Sequence, residues 1–150
     1  MSRPTKDRWG LNLADVVSTR ATCLRRSVGC VLVDARGRVL ATGFNGVAAG
    51  LPHCSEGHPC AGASCPSGTG LDLCEAIHAE ANALLQCRDV DAITTAYVTV
   101  SPCVTCTKLL LSTGCQRIVA SKPYAHDQAA RQLWERAGRR WLNSLTMVEA

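Results

Sequence analysis

The sequence predicts an α/β fold in which helices pack on the faces of a mixed β-sheet. Segments with helical spacing of apolar residues alternate with short β-branched runs along the chain. The first two runs form a hairpin, whereas helices separate the later ones, so antiparallel and parallel strand pairs meet in one sheet. We expect a single domain over residues 1–150, because a chain of this length supports one core.

The first half of the chain predicts one helix and one hairpin. A helix over about residues 8–22 follows from the spacing of Trp9, Leu13, Val16 and Val17. The β-branched runs "VGCVLVD" and "VLATGF" flank the turn "ARGR", which is typical of two paired strands. The chain then enters a segment rich in Gly, Pro, Ser and Cys, from Asn45 to Leu73, without periodicity.

The second half alternates between helices and strands. A helix on the stripe Ile77, Ala81, Leu84 and Leu85 runs to about Arg88, and a buried strand "AYVTV" follows it. The segment "SPCVTCTKLLLSTG" predicts a turn and a helix, with Gly114 as the C-terminal cap of that helix. A strand "RIVA", a helix over about 127–137 and a short strand near Trp141 complete the predicted elements. Sites in such sheets form beyond the carboxyl ends of strands, where helices begin.

Composition and charge favour a small anionic ligand. The net charge of +4 is mild, and one Phe and two Tyr leave few platforms on which unpaired bases could stack, so we expect no nucleic acid partner. No apolar run approaches the ~18 residues of a membrane span, and the N-terminus "MSRPTKDRWG" lacks the apolar region of a secretory signal. We therefore predict a cytoplasmic protein without a membrane partner.

Ten cysteines indicate metal binding rather than a disulfide scaffold, because the chain is rich in core residues and is expected in a reducing compartment. The long segment after Asn45 needs something to organise it. Cys54, His58, Cys60 and Cys65 lie within it and could serve as metal ligands.

His78 in "CEAIHAEAN" and the pair Cys103 and Cys106 in "SPCVTC" form a candidate catalytic zinc site. One imidazole and two thiolates supply three ligands and leave the fourth tetrahedral position to water. Zinc lowers the pKa of its bound water towards ~7. Glu80, two residues after His78, is the candidate general acid–base that moves protons between water, a ring nitrogen and the departing amine. His-x-Glu with Pro-Cys-x-x-Cys is a known signature of zinc nucleobase deaminases.

The chain resembles the deoxycytidylate deaminases of the cytidine deaminase-like superfamily over about residues 8–125. The resemblance rests on "STRATCLRRSVGCVLVD", "ATGFNG", "HCSEGHPC", "LCEAIHAEANAL", "YVTVSPCVTC" and Tyr124. It implies a three-layer α/β/α fold around a mixed five-stranded sheet. It also implies zinc-dependent hydrolysis of dCMP to dUMP and ammonia, as part of deoxynucleotide metabolism. A homo-oligomer, in this family a hexamer, is a further expectation.

The resemblance also assigns roles to individual residues. It implies that His78, Cys103 and Cys106 bind the catalytic zinc and that Glu80 is the proton shuttle. The substrate-binding positions are Arg26 for the 5′-phosphate (with Arg25 as a further candidate), Asn45 for the sugar, and Ala79, Ser101 and Tyr124. A second, structural zinc is implied at Cys23, Cys54, Cys60 and Cys74, with His58 and Cys65 as further candidates.

Two alternatives keep part of this interpretation. The same chemistry could act on another substrate, namely 5-modified dCMP, dCTP, cytidine or a tRNA adenosine. Alternatively, both clusters could be structural, in a zinc-stabilised binding module without activity. Glu80 argues against the second alternative, because a structural site has no use for a free carboxylate beside an open ligand position.

Overall fold

A mixed five-stranded sheet forms the centre of the structure, a computed structural model that describes residues 2–144. Its strands are β1 (Gly29–Val33), β2 (Val39–Phe44), β3 (Thr95–Val100), β4 (Arg117–Lys122) and β5 (Arg140–Asn143). They lie in the order β2-β1-β3-β4-β5, with β1 antiparallel to both neighbours and β3, β4 and β5 mutually parallel. The predicted hairpin and the short strand near Trp141 are both confirmed.

The helices are α1 (Lys6–Ser18), α2 (Ala79–Gln86), α3 (Val104–Leu111) and α4 (Gln128–Arg136), with single 3-10 turns at Cys54–Glu56, Leu71–Leu73 and Val90–Ala92. On one face of the sheet, Leu11 and Ala14 of α1 pack on side chains of β1, β3 and β4. On the other face, buried residues of α2, α3 and α4 pack on the alternate side chains of the same strands. The predicted three-layer α/β/α fold is therefore confirmed.

Two helices lie closer to the sheet than their apolar patterns predict. In α1 the buried positions are Gly10, Leu11 and Ala14, whereas Trp9 and Val16 of the predicted stripe are 42% and 66% exposed. In α2 the buried apolar positions are Ala79 and Ala83, and Leu85 is 76% exposed. Small residues occupy the contact because they let the helix backbone approach the strands.

Gly43 of β2 shows how close this approach is. A β-carbon at Gly43 would collide with the backbone of Ala79 and Ala83 in α2. The side-chain amide of Asn82 adds a hydrogen bond of 2.8 Å to the carbonyl oxygen of Phe44, at the end of β2. The start of α2 is thereby fixed against the carboxyl end of β2.

Two predicted boundaries are wrong. Helix α1 ends at Ser18 rather than near residue 22, because the amide of Thr22 already donates to the carbonyl oxygen of Asn45. Gly114 does not cap α3, since the helix ends at Leu111 and Gly114 has no positive φ. Its lack of a side chain instead admits the backbone of Asp91, which a β-carbon would strike.

Candidate active site

Three predicted ligands converge where α2 and α3 begin. The Nδ1 atom of His78 lies 3.4 Å from the Sγ atom of Cys103 and 3.5 Å from that of Cys106. The three ligand atoms all lie within 4.8 Å of one another. This group is the single cluster of three or more His, Cys, Asp or Glu ligand atoms at such distances within residues 2–144.

The helix starts explain how the sequence brings these side chains together. His78 and Cys103 are the N-cap residues of α2 and α3, and both have extended backbone conformation. Both residues therefore lie just before a regular helix, and their side chains meet in front of the two helix starts. The Cys103 sulfur also accepts the backbone N–H of Cys106 at 3.5 Å.

The spacing of the donor atoms fits zinc. Tetrahedral coordination with Zn–S near 2.3 Å and Zn–N near 2.0–2.1 Å places sulfur and nitrogen about 3.5–3.6 Å apart. The observed separations of 3.4 and 3.5 Å agree with this value. His78 Nδ1 is the facing nitrogen, so His78, Cys103 and Cys106 would hold the ion.

The electrostatics of the two thiols also call for a cation. Hydrogen bonds from Cys106 and His78 lower the pKa of Cys103 to about 4. The pKa of Cys106 is raised well above its usual value by its hydrogen bond to Cys103, by burial and by the charge of Glu80. Hydrogen bonding to Cys103 raises the pKa of His78. Without a cation only one of the two thiols therefore ionises readily beside the Glu80 carboxyl, and a divalent cation would offset the repulsion that opposes a second thiolate.

Glu80 is buried in the first turn of α2, with 4% of its surface exposed. Burial raises the pKa of its carboxyl above the ordinary value of 4.5, and the His78 imidazole and the Cys106 thiol partly offset this effect. A raised pKa makes the carboxyl a better proton acceptor than an exposed glutamate, as general acid–base catalysis requires. The structure therefore brings Glu80 together with the three metal-ligand candidates.

A cavity of about 400 Å³ holds two of the predicted substrate residues, Arg26 and Tyr124. The guanidinium carbon of Arg26 lies 4.6 Å from the centroid of the Tyr124 ring, within cation–π distance. The charge of Arg26 also acts on His78, where it opposes the rise of the imidazole pKa. The cavity thus carries positive charge within electrostatic reach of the metal-ligand candidates.

The other predicted substrate residues lie around the same strand ends. Asn45 is buried, and its amide bonds backbone groups of Arg26 and Val28. Ala79 is buried as the first residue of α2, between His78 and Glu80. Ser101 is buried one residue after β3, where its hydroxyl and its amide both donate to the carbonyl oxygen of Lys122. Arg25 does not line the cavity, because its side chain donates to backbone carbonyls of the 66–69 segment.

Four cysteines of the predicted second site lie near one another. The thiols of Cys54 and Cys60 each alter the pKa of the other, so they are neighbours. Cys23 acts on the pKa of Cys54 and of Cys74, and Cys60 also acts on that of Cys74, so these groups lie within electrostatic reach. In the described part of the chain they do not meet the 4.8 Å separation that His78, Cys103 and Cys106 meet. Cys65 lies elsewhere in the segment, against Gly70.

The sequence patterns did not single out several residues that line the cavity. Besides Arg26 and Tyr124, it is lined by Ser27, Ser67, Val100, Lys122, Pro123 and Ala125. Lys122 ends β4, two residues before Tyr124, and this position at the carboxyl end of a parallel strand was a usable signal. Ser67 had no such signal in the sequence, because it lies in the segment without periodicity, where no local pattern predicts the backbone conformation.

The fold and the grouping of His78, Cys103 and Cys106 are those of a zinc-binding domain, and comparison with known proteins agrees. The family model described as "Cytidine and deoxycytidylate deaminase zinc-binding region" matches residues 4–122. A deoxycytidylate deaminase of Mycobacterium phage D29 is 41% identical over 127 residues, spanning 81% of this chain and 98% of the relative. The chain therefore belongs to the cytidine and deoxycytidylate deaminase family, as its motifs predict.

Longer relatives and a solved structure extend this comparison. Deoxycytidylate deaminases of Schizosaccharomyces pombe and Saccharomyces cerevisiae are 35% and 36% identical, over 91% and 92% of this chain. The matches cover 43% and 44% of those proteins, so the chain spans less than half the length of its yeast relatives. The crystal structure of dCMP deaminase from the cyanophage S-TIM5 in complex with dCMP and dUMP shares the fold, with a TM-score of 0.74 at 23% identity over 95% of this chain and 99% of that one.

Proposed function

We propose that the chain hydrolyses dCMP to dUMP and ammonia. The observation that carries the proposal is the buried carboxyl of Glu80 beside three metal-ligand side chains. In a purely structural zinc site a fourth protein ligand completes the tetrahedron. Within residues 2–144 no fourth His, Cys, Asp or Glu joins this group, which favours a catalytic site.

Glu80 is the proton carrier in the proposed reaction. A bound Zn²⁺ would supply Lewis acidity and lower the pKa of the attacking water. Glu80 takes a proton from that water as the water oxygen bonds to C4 of cytosine, and it delivers the proton to N3. It then carries the second water proton to the amino group at C4, whose bond to carbon breaks and releases ammonia. The raised pKa of Glu80 supports this role, because the carboxyl must be protonated and deprotonated in each cycle.

The nucleotide is assigned by the groups around the cavity. Arg26 would bind the 5′-phosphate, since a guanidinium matches phosphate oxygens, and the guanidinium lies over the ring of Tyr124. Asn45 would meet the sugar, and Ala79 and Ser101, which flank the ligand group, would contact the base. The names of the phage and yeast relatives support a deoxycytidylate substrate.

Ammonia release from a panel of cytosine compounds tests the proposal. We expect zinc-loaded protein to deaminate dCMP in preference to deoxycytidine, cytidine and dCTP. Replacing His78 with Ala should remove the zinc of this site and abolish turnover, whereas Asn12→Ala, on the exposed side of α1, should leave turnover unchanged. Preference for a nucleoside over dCMP would contradict the proposed substrate.

We also propose a second, structural zinc at Cys23, Cys54, Cys60 and Cys74. The mutual effects of these thiols on their pKa values support it, and a closed four-ligand site would explain how the long segment is held. Metal analysis should give two zinc ions per chain, and one after Cys60→Ser. Cys87→Ser is the matched control, since that half-buried thiol follows α2 and should not alter the count. A single zinc in the parent chain would exclude the second site.

A homo-oligomer in the cytoplasm completes the proposal, and six copies are the expected number. Leu85 of α2 and Val104 and Leu109 of α3 are large apolar side chains left exposed, which supports association through these helices. All ten cysteines are free thiols, as a reducing compartment requires. No helix within residues 2–144 has the length and hydropathy that membrane crossing demands. Size-exclusion chromatography with light scattering would measure the mass of the assembly, and the mass of a monomer would contradict the proposed homo-oligomer.

A further inference from the structure

The residues 66–69, "PSGT", form a tight turn at the cavity, here called the 66–69 turn. Within it, the backbone N–H and the hydroxyl of Thr69 donate to the carbonyl oxygen of Pro66, at 3.0 and 2.6 Å. Gly68 has a φ of +77°, a conformation that side-chain-bearing residues rarely adopt. The turn is therefore a defined structure within the long cysteine-bearing segment.

One side of the 66–69 turn is fastened to the segment that carries Arg26. The Nη2 atom of Arg25 donates to the carbonyl oxygens of Pro66 and Thr69, each at 3.0 Å. The Nη2 atom of Arg26 donates to the hydroxyl oxygen of Ser67 at 3.4 Å. Two adjacent arginines thus hold both ends and the centre of the turn.

The other side of the turn lies against the segment that carries Tyr124. A β-carbon at Gly68 would lie 2.8 Å from the Nε2 atom of His126, so the imidazole packs directly on the turn. The rings of His126 and Tyr124 meet edge to face, with centroids 5.2 Å apart. The turn consequently joins the two chain segments between which the cavity lies.

The cavity under the turn has the charge of a phosphate monoester site. Its lining includes two cations, Arg26 and Lys122, and the hydroxyl groups of Ser27 and Ser67. A phosphate monoester carries close to two negative charges, which two cations match. A triphosphate carries more charge than these two cations match, and the 66–69 turn bridges the two chain segments that line the cavity.

We infer that the 66–69 turn, held by Arg25, makes this cavity specific for a nucleoside monophosphate and excludes the triphosphate. Ser67 contributes a hydroxyl to the phosphate, and Lys122 is its second cation after Arg26. Arg25 is a positioning residue that acts through the turn. The inference rests on the proposed function and extends it, since exclusion of a longer ligand by a built obstacle is one of the two routes to specificity.

Turnover of dCMP, dCTP and deoxycytidine by the zinc-loaded protein tests the inference. In Arg25→Met, which keeps the aliphatic stem and loses both hydrogen bonds, we expect the KM for dCMP to rise about tenfold with kcat within a factor of two. The preference for dCMP over dCTP should fall at least tenfold. Arg25→Lys should restore part of the preference, and Arg88→Met, at an exposed arginine after α2, should match the parent.

Ser67→Ala provides a second variant that leaves the fastening by Arg25 intact. We expect it to raise the KM for dCMP several-fold and to leave deoxycytidine turnover unchanged, because deoxycytidine has no phosphate. Inorganic phosphate, measured by calorimetry on the same proteins, should bind the parent and the Arg88→Met protein alike and bind both turn variants several-fold more weakly.

The outcomes separate this inference from the proposed function. If the parent turns over dCMP and both turn variants keep its preference and its phosphate affinity, the turn has no such role. Equal losses on dCMP and deoxycytidine would also overturn the inference, because they would reflect a disturbed catalytic site. A parent that binds phosphate as described but deaminates no cytosine compound would refute the proposed function alone.

Discussion

The side-chain amide of Asn45 donates a hydrogen bond to the carbonyl oxygen of Arg26 at 2.6 Å. Its oxygen accepts the backbone N–H of Val28 at 2.8 Å. A buried residue at the end of β2 thereby fixes the backbone that presents Arg26 to the cavity. The position of the proposed phosphate-binding guanidinium therefore depends on an amide 19 residues further along the chain, just after β2.

Asn45→Ala should lower the free energy of unfolding by about 1–3 kcal/mol, because it leaves a buried N–H and a carbonyl unpaired. Loss of dCMP turnover should exceed loss of deoxycytidine turnover if Asn45 acts through Arg26. Equal losses on the two substrates would instead favour the proposed sugar contact. Urea unfolding and steady-state kinetics measure both effects, with Asn12→Ala, on the exposed side of α1, as the control.

Glu80→Gln should keep the metal and lose the reaction. The amide fits the same buried space but cannot carry a proton, and general acid–base catalysis contributes about 10²–10⁴-fold. We therefore expect kcat to fall by at least about a hundredfold at unchanged zinc content, measured by ammonia release and metal analysis. Glu56→Gln, at an exposed glutamate, serves as the control, and near-parental turnover by Glu80→Gln would remove Glu80 from the mechanism.

Asp7 should contribute to stability above its folded-state pKa and lose that contribution in acid. The Arg117 guanidinium contacts both oxygens of Asp7 at 2.7 and 3.2 Å, and the Tyr97 hydroxyl donates to one at 2.8 Å. Burial raises the pKa of Asp7, but these hydrogen bonds and the charge of Arg117 outweigh it, so the pKa lies below its ordinary 3.8. The contribution is complete above the unfolded pKa and is lost as pH falls through the lower folded pKa.

The test compares the parent with Asp7→Asn. At pH 7 we expect the variant to be less stable by about 1.5–3 kcal/mol, the usual contribution of hydrogen bonds to a charged group. The difference in free energy of unfolding between the parent and the variant should become smaller as urea unfolding is repeated from pH 5 down to pH 3. Asp15→Asn, at an exposed position of α1, should show neither effect. A gap that stayed constant with pH would mean that the ionisation of Asp7 is not the cause.

Gly43→Ala should displace α2 and with it the catalytic residues. The added methyl group would strike the backbone of Ala79 and Ala83, and overpacking of this kind costs about 1–3 kcal/mol. Because His78 and Glu80 stand at the start of the same helix, turnover should fall more than the loss of stability explains. Thr42→Ala, at the exposed neighbouring position of β2, is the matched control for thermal unfolding and kinetics.

Most of the fold and the central site could be predicted from the sequence because their signals are local. The β-branched runs of β1, β3 and β4 are intrinsic strand signals. The spacing of Cys103 and Cys106 predicts that their two sulfurs can bind the same ion. The stripe that begins at Ile77 predicts His78 inside a helix, whereas His78 is the N-cap of α2 and its imidazole still meets the two thiols.

The features that the sequence did not predict depend on contacts between segments that are distant along the chain. The faces of α1 and α2 could not be predicted from large apolar residues alone. Small residues such as Gly10, Ala79 and Ala83 are buried, whereas Val16 and Leu85 are exposed. Ser67 enters the cavity only because two arginines far away in sequence hold its turn. No periodicity marks such a long-range arrangement.

The proposed metal ligands come from two chain segments, His78 before α2 and Cys103 and Cys106 at the start of α3. An ion held there ties two crossover connections together at one end of the sheet. Each tenfold rise in free zinc above its dissociation constant would then add about 1.4 kcal/mol to the folded state. The concentration of free zinc would thus set the stability of the folded protein as well as its rate of turnover.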